Sequence, residues 1–297
     1  MNRLEPPYPL IKDRLYEGQI IPFLGSGASL GKRHPGELPW VESQGEYLPT
    51  ARELAEYLAG KIQFPEGETP DLAKVAQYFG VVGGRLPLLQ DLHSIFDHDY
   101  PVTSLHSFLA EIPVPLLIVT TNYDDLIERA LEGHSYDVVV QTTEPALGDQ
   151  LLWWPHGETD PVKVKPNKLD IDLKEVTVVY KIHGAVDRRD WTRGQYVITE
   201  DDYVEFLSRM TRKSAIPAIF AELFQIRHFL FLGYSLSDWN LRVVLNRMER
   251  DLRRRGNITS WAIQLNPSPL EQRLWQQRGV DVYDMMLEEF VTKLRVA

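Results

Sequence analysis

The sequence predicts an α/β fold: a mostly parallel sheet with a smaller helical insertion module. Two observations predict it. Apolar runs of strand length recur along the chain, at IIPFL (20–24), LLIVTTNYD (116–124), VTVVYKIHG (176–184), HFLFLGYS (228–235) and SWAIQLN (260–266), with a sixth strand candidate, broken by Asp281, at GVDVYD (279–284). Segments with apolar residues every three or four positions stand between them. Strands buried on both faces of a parallel sheet lose the apolar–polar alternation of half-exposed strands, which matches these runs.

In chain order, IIPFL is a buried strand closed by a glycine. From about residue 45 to 113 the pattern is helical: ARELAEYLAGKI, DLAKVAQYFG, LPLLQDLHSIF and SLHSFLAEI, with Gly and Pro between the runs. This is the insertion, and the whole chain reads as one domain, 1–297. LLIVTTNYD restores the strand pattern and DLIERAL follows as a helix. Residues Pro145 to Lys174, rich in Trp, Pro and charge, read as a loop or irregular subdomain. After the third strand, DDYVEFLSRM and PAIFAELFQIR read as helices. HFLFLGYS is the fourth strand and LSDWNLRVVLNRMERDL a helix after it. SWAIQLN and GVDVYD complete the strands, and a short helix closes the chain.

Composition bounds the function. The 297 residues are 43% hydrophobic, enough for one large core. No apolar run is long enough to span a bilayer, and MNRLEPPYPLIKDRL lacks the continuous apolar segment of a signal peptide. A cytoplasmic protein without membrane contact is therefore expected. There is no cysteine, which excludes disulfides, thiolate zinc sites and cysteine nucleophiles. A formal charge of −10 opposes direct nucleic-acid binding, and the RRR at 253–255 is interleaved with acidic Glu249 and Asp251.

In open parallel sheets, ligands bind beyond the carboxyl ends of the strands, so the residues placed there carry the information. Those ends read GSGAS, TTNYD, KIHG, GYS and QLN. GSGAS (25–29) is either a cradle that offers backbone N–H groups to a phosphate or a tight turn. It lacks the third glycine of G-x-G-x-x-G, where Leu30 stands, and the GK[ST] of a P-loop. Asn122 can donate and accept, so it can hold a ribose hydroxyl or a water. Asp124 can accept from an amide, and either Asp124 or Asp125 caps the next helix. His183, at a strand end beside Gly184, suits a general base near neutral pH. The other histidines, 34, 93, 98, 106, 134, 156 and 228, read as structural or surface residues. Gly233 and Ser235 can approach a phosphate or adenosine group, and Asn266 a ribose hydroxyl.

In that order and on those strands, GSGAS, TTNYD, KIHG and GYS resemble the sirtuin family. They are most similar to the sirtuin-like NAD hydrolase domains of bacterial antiphage defence. The resemblance covers roughly Tyr16 to the C-terminus. It implies a Rossmann-like NAD domain with a smaller helical module. It also implies NAD phosphates lined by Gly25, Ser26, Gly27, Ala28 and Ser29. Asn122 and Asp124, with Thr121 beside them, would stand by the nicotinamide ribose and carboxamide. His183 would be the catalytic base, and Gly233, Ser235 and Asn266 would face the adenosine end.

Two departures set this chain apart from sirtuin deacylases. The cysteine pairs of their zinc ribbon are missing, and Thr121 stands where they have Gln before Asn. The resemblance therefore implies hydrolysis of NAD to nicotinamide and ADP-ribose, with no zinc and no cofactor beyond NAD as substrate. It further implies an oligomer, or a partner such as a hexameric ATPase or a short Argonaute, that controls an otherwise lethal activity. With a short helix closing the sequence, the expectation is that sensing falls to such a partner or to self-assembly. The alternatives are an NAD or ADP-ribose sensor without catalysis, which would not need both Asn122 and His183, and an NAD-dependent deacylase.

Overall fold

The structure, a computed structural model, describes residues 5–31, 33, 40, 46–142, 147–193, 195–210, 215–234 and 259–297. Its centre is a nine-stranded sheet in the order β11-β10-β9-β1-β2-β6-β3-β4-β5. The six runs read from sequence become β1 (Ile20–Leu24), β2 (Leu117–Thr120), β6 (Thr177–Lys181), β9 (His228–Leu232), β10 (Ser260–Gln264) and β11 (Val280–Asp284). All of these pair in parallel, as expected of strands covered on both faces. Pro22 lies inside β1, where a missing N–H is normally excluded. The β1–β2 ladder begins only at Phe23, so pairing with β2 starts one residue after the proline.

One end of the sheet corrects the sequence reading in part. β3 (Tyr136–Gln141), which the reading missed, pairs in parallel with β6. β4 (Leu151–Trp154) and β5 (Val162–Val164) extend the sheet antiparallel at its edge, where the sequence suggests a loop or irregular subdomain. Asp137 anchors this edge by accepting from the Trp153 indole and the His156 N–H, both at 2.8 Å.

Alternate residues of β1 face opposite layers. Ile21 and Phe23 meet the cluster formed with α7 (Glu200–Met210) and α8 (Ala218–Ile226) through Phe206, Phe220 and Phe224. Trp275 of α9 (Pro269–Gln276) joins the same layer. Ile20 and Leu24 meet the other layer, built from α1 (Tyr8–Tyr16), α5 (Ser104–Ala110) and α10 (Leu287–Val296). The helices α2 (Ala51–Lys61), α3 (Leu72–Val82) and α4 (Arg85–Phe96) have their own core around Leu58, Val75, Phe79, Leu88 and Leu92. Thr50 and Glu53 form a capping box that starts α2. α5, the last of the helices in that stretch, packs on the sheet. The predicted helix at 236–252 and the RRR at 253–255 lie outside the described residues.

Candidate functional site

From β1 the chain moves to β2 on one side and returns later to β9 on the other. That reversal opens a crevice at the carboxyl ends of β1 and β9, where open α/β sheets bind ligands. The GSGAS loop fills the floor of the crevice, with Ser26–Ser29 in a 3-10 turn. It is interlocked with the end of β9. The Gly25 N–H donates to the Leu232 carbonyl at 3.0 Å and the Gly27 N–H to the Gly233 carbonyl at 2.9 Å. A Cβ on Gly25 would lie 2.6 Å from the Tyr234 ring, and one on Gly27 would lie 2.8 Å from the Gly233 oxygen. The glycines therefore serve a backbone-to-backbone approach. With the Ala28 N–H bound to the Gly25 carbonyl at 2.9 Å, three donors that the phosphate-cradle reading would use are committed to protein.

Asn122 follows β2 and turns into the crevice. Its amide nitrogen donates to the Gly25 carbonyl and to the Ser29 hydroxyl, each at 3.0 Å. The Ser29 hydroxyl in turn donates to Asp124 Oδ2 at 2.9 Å. These bonds fix the carboxamide: its NH₂ must face the Gly25 carbonyl, so its oxygen Oδ1 is the end left to accept from a ligand or water. Asp124 is buried, and its Oδ1 accepts the Leu126 N–H at 3.2 Å, opening α6 (Leu126–Ala130). The side chain of Asp124 thus makes the bond that starts the helix, although Asp125 occupies the cap position.

Lys181 ends β6 with only 1% of its surface exposed. Its ammonium lies 2.7 Å from Glu128 of α6 and also donates to the Asp124 backbone carbonyl. His183 leaves the strand toward the other layer, where its ring packs T-shaped against those of Phe206 and Tyr203 on α7, with ring centres 4.9 and 5.7 Å away. Gly184 is required here: its φ is +94°, and a Cβ would lie 2.0 Å from the Gln195 carbonyl. That close approach lets the short pair β7 (Gly184–Ala185) and β8 (Gln195–Tyr196) form.

A cavity of about 260 Å³ opens between these strand ends and the helical module. Ser26, Ser29, Thr121, Asn122, Asp124 and His183 line it together, with Tyr203, Tyr234 and Leu54 among the surrounding apolar residues. A neighbouring cavity of about 270 Å³ shares Ser26 and Tyr234 with it and is lined by Gly27, Gly233, Gln264, Leu265 and Met285. The structure does not bring Asn266 to either cavity. It is exposed, with φ +51°, because the turn after β10 swings it outward and its N–H donates to Asp284. Gln264 and Leu265 take the position expected of it. Ala28 is buried behind the loop, and Ser235 lies outside the described residues. The reading missed Tyr203 and Tyr234. Tyr234 carried a signal, standing between the two small residues of GYS, whereas nothing in the helical pattern of α7 singled out Tyr203.

His106 shows how dry the layer behind the site is. Burial holds its imidazole down to about 4, with Asp124 opposing that shift and Lys181 adding to it. Thr103 gives its hydroxyl proton to the Ala28 carbonyl, so the His106 Nδ1–H donates to Thr103 at 2.9 Å.

Fold and site together define a Rossmann-like α/β domain with a two-part cavity at its topological switch point. The chain belongs to the SIR2-like domain family, whose sequence model matches residues 116–283. Its relatives include the NAD(+) hydrolase ThsA of Bacillus cereus, 30% identical over 238 residues, covering 78% of this chain and 41% of the relative. The NAD(+) hydrolase ThsA of Enterococcus faecium is 26% identical over 286 residues, covering 93% and 48%. Defense-associated sirtuin 2 of Bacillus subtilis is 22% identical over 272 residues, covering 90% and 23%. The chain thus spans less than half the length of each of these relatives. Among the described residues, no helix is long and apolar enough to cross a membrane.

Proposed function

We propose that this domain hydrolyses NAD to nicotinamide and ADP-ribose. One observation carries the reading: His183 and Asn122 line one cavity, and the hydrogen bonds of Asn122 leave its Oδ1 available there. The nicotinamide ring and its ribose occupy the first cavity, and the adenosine end occupies the second, past Ser26 and Gly233. Asn122 Oδ1 accepts from the attacking water, and His183 takes the proton that the water loses. The water oxygen bonds to the ribose carbon as the bond to nicotinamide breaks, and the bonding pair neutralises the ring nitrogen. A positioned base of this kind contributes ~10²–10⁴-fold, and orientation of the water adds to it. Asp124 acts through Ser29 on Asn122, and its remaining lone pairs can accept from the nicotinamide amide.

The names of the relatives support NAD as substrate and a role in defence by NAD depletion. Control by self-assembly or by a partner protein follows from the cost of an unregulated activity to the host. The test is nicotinamide release from NAD, followed by chromatography, using the purified chain and lysates of phage-infected and uninfected cells expressing it. Wild-type protein releases nicotinamide in at least one condition, and His183→Ala and Asn122→Ala release none while remaining folded. Absence of release in every condition, or full activity of His183→Ala, overturns the assignment.

A further inference from the structure

The buried ion pair behind the site is not used by the chemistry above. Lys181 lies in the middle of the sheet, opposite Thr120 of β2 on one side and Val140 of β3 on the other. A buried ion pair there is a poor source of stability, because desolvation offsets most of the attraction, and an apolar side chain of similar length would fill the space without that cost. What the ammonium adds is a bond that no apolar group can make, to the backbone carbonyl of Asp124. That carbonyl belongs to the segment carrying Asn122, and the Asp124 side chain receives Ser29, which receives Asn122. Glu128 holds the ammonium from the α6 side, so the clamp joins β6, the 121–125 segment and α6. His183 stands two residues beyond Lys181 on the same segment.

We propose that Lys181 is a positioning residue: clamped by Glu128, it holds the 121–125 segment in register with β6, so that Asn122 Oδ1 and His183 address the same water. The proposal rests on the NAD-cleavage reading. Removing Lys181 alone would strand the Glu128 charge, so the primary variant is the pair Lys181→Met with Glu128→Leu, which leaves no orphaned ion. The second variant is Glu128→Gln, which keeps an acceptor for the ammonium but removes its countercharge.

Both are assayed in the condition where wild-type protein releases nicotinamide, with kcat expressed per site titrated by an uncleavable NAD analogue. The pair lowers kcat by roughly 10²-fold, the effect of an ångström-scale misplacement, with KM little changed and the apparent pKa of the pH–rate profile retained. Glu128→Gln lowers kcat in the same sense but less. A purely structural role would lower the number of titrated sites and leave kcat per site intact. Unchanged kcat per site overturns the positioning role, and if the pair does not fold, unchanged kcat in Glu128→Gln does so. Wild-type protein that releases no nicotinamide in any condition fails the NAD-cleavage reading itself, which separates the two failures.

Discussion

The hydroxyl of Ser29 donates to the carboxylate of Asp124 at 2.9 Å, joining two residues that lie 95 positions apart in the chain. The same oxygen accepts from Asn122 at 3.0 Å, so this hydroxyl links the carboxylate to the carboxamide that faces the cavity, which the Gly25 carbonyl also holds. Ser29→Ala removes both bonds. Asp124 is 5% exposed and loses one of its partners, at a cost of about 1–3 kcal/mol. Asn122 loses one of the bonds that orient it, so nicotinamide release falls by roughly 10- to 100-fold. Thermal unfolding and initial-rate measurements on the purified variant check the two effects separately. Wild-type rates in Ser29→Ala would show that Gly25 alone orients the amide.

Two glycine-to-alanine changes, one in the interlock of the strand ends and one on an open helix surface, have opposite outcomes. Gly233 has φ +65°, and a Cβ there would lie 2.3 Å from the Ala28 nitrogen. Gly233→Ala therefore destabilises the fold by about 3 kcal/mol or more through overpacking and backbone strain. Gly60, in α2, has no atom from outside its own stretch of helix backbone and chain neighbours within 4 Å of its Cβ position. Gly60→Ala stabilises by up to about 1 kcal/mol, from helix propensity and reduced freedom of the unfolded chain. Urea denaturation of both variants measures the difference in sign.

His106 makes stability depend on acid. Its imidazole is held down to about 4 by burial, against an ordinary value of 6.5, so the unfolded chain binds the extra proton first. The stability it contributes is present above pH 6.5 and is lost as pH falls toward 4, at up to about 1.4 kcal/mol per pH unit. His106→Gln has no proton to gain at this position. Its denaturation midpoint falls less than that of the wild type between pH 7 and pH 5. Equal falls in the two proteins would place the acid sensitivity elsewhere.

Glu53 joins the start of α2 to Arg33. Its partial burial would raise the carboxyl, but Arg33 and the N–H groups of Thr50 and Trp40 overcome this and hold it down to about 2. Arg33 is nearly fully buried, with its guanidinium on both Glu53 oxygens and over the Tyr47 ring. Glu53→Gln leaves that cation without its carboxylate, for a loss of about 3 kcal/mol, while the Gln amide oxygen can still accept the Thr50 N–H of the capping box. Hydrogen exchange is expected to show α2 amides losing protection before those of β1, since α2 belongs to the separate core of the helical module.

Continuous Val, Ile, Leu and Phe runs mark the strands that parallel pairing covers on both faces, so β1, β2, β6, β9 and β10 are readable one by one, and β11, at the end of the sheet, shows as a shorter run broken by Asp281. β3, β4 and β5 are not readable. LLWW and VKV are short strands in a Trp- and Pro-rich stretch at one end of the sheet, and their pairing is decided by a neighbour that local pattern does not reveal. Strand ends pointed to the site because the sheet concentrates ligand contacts there. Asn266 shows the limit of that logic, since one residue beyond Leu265 a left-handed turn carries the side chain out to solvent.

The amino-acid sequence by itself determined the class of fold, the order of its apolar strands, the lack of any thiolate metal site and the short polar segments that border the crevice. Tertiary structure alone decided what those segments do. Gly25 and Gly27 could equally have met a phosphate or another backbone, and the return of β9 beside β1 gives them to Leu232 and Gly233. Ser29, Asn122, Asp124 and Lys181 become one connected set only when β1, β2 and β6 lie side by side, because hydrogen bonds and ion pairs act over a few ångströms and chain separation does not enter into them.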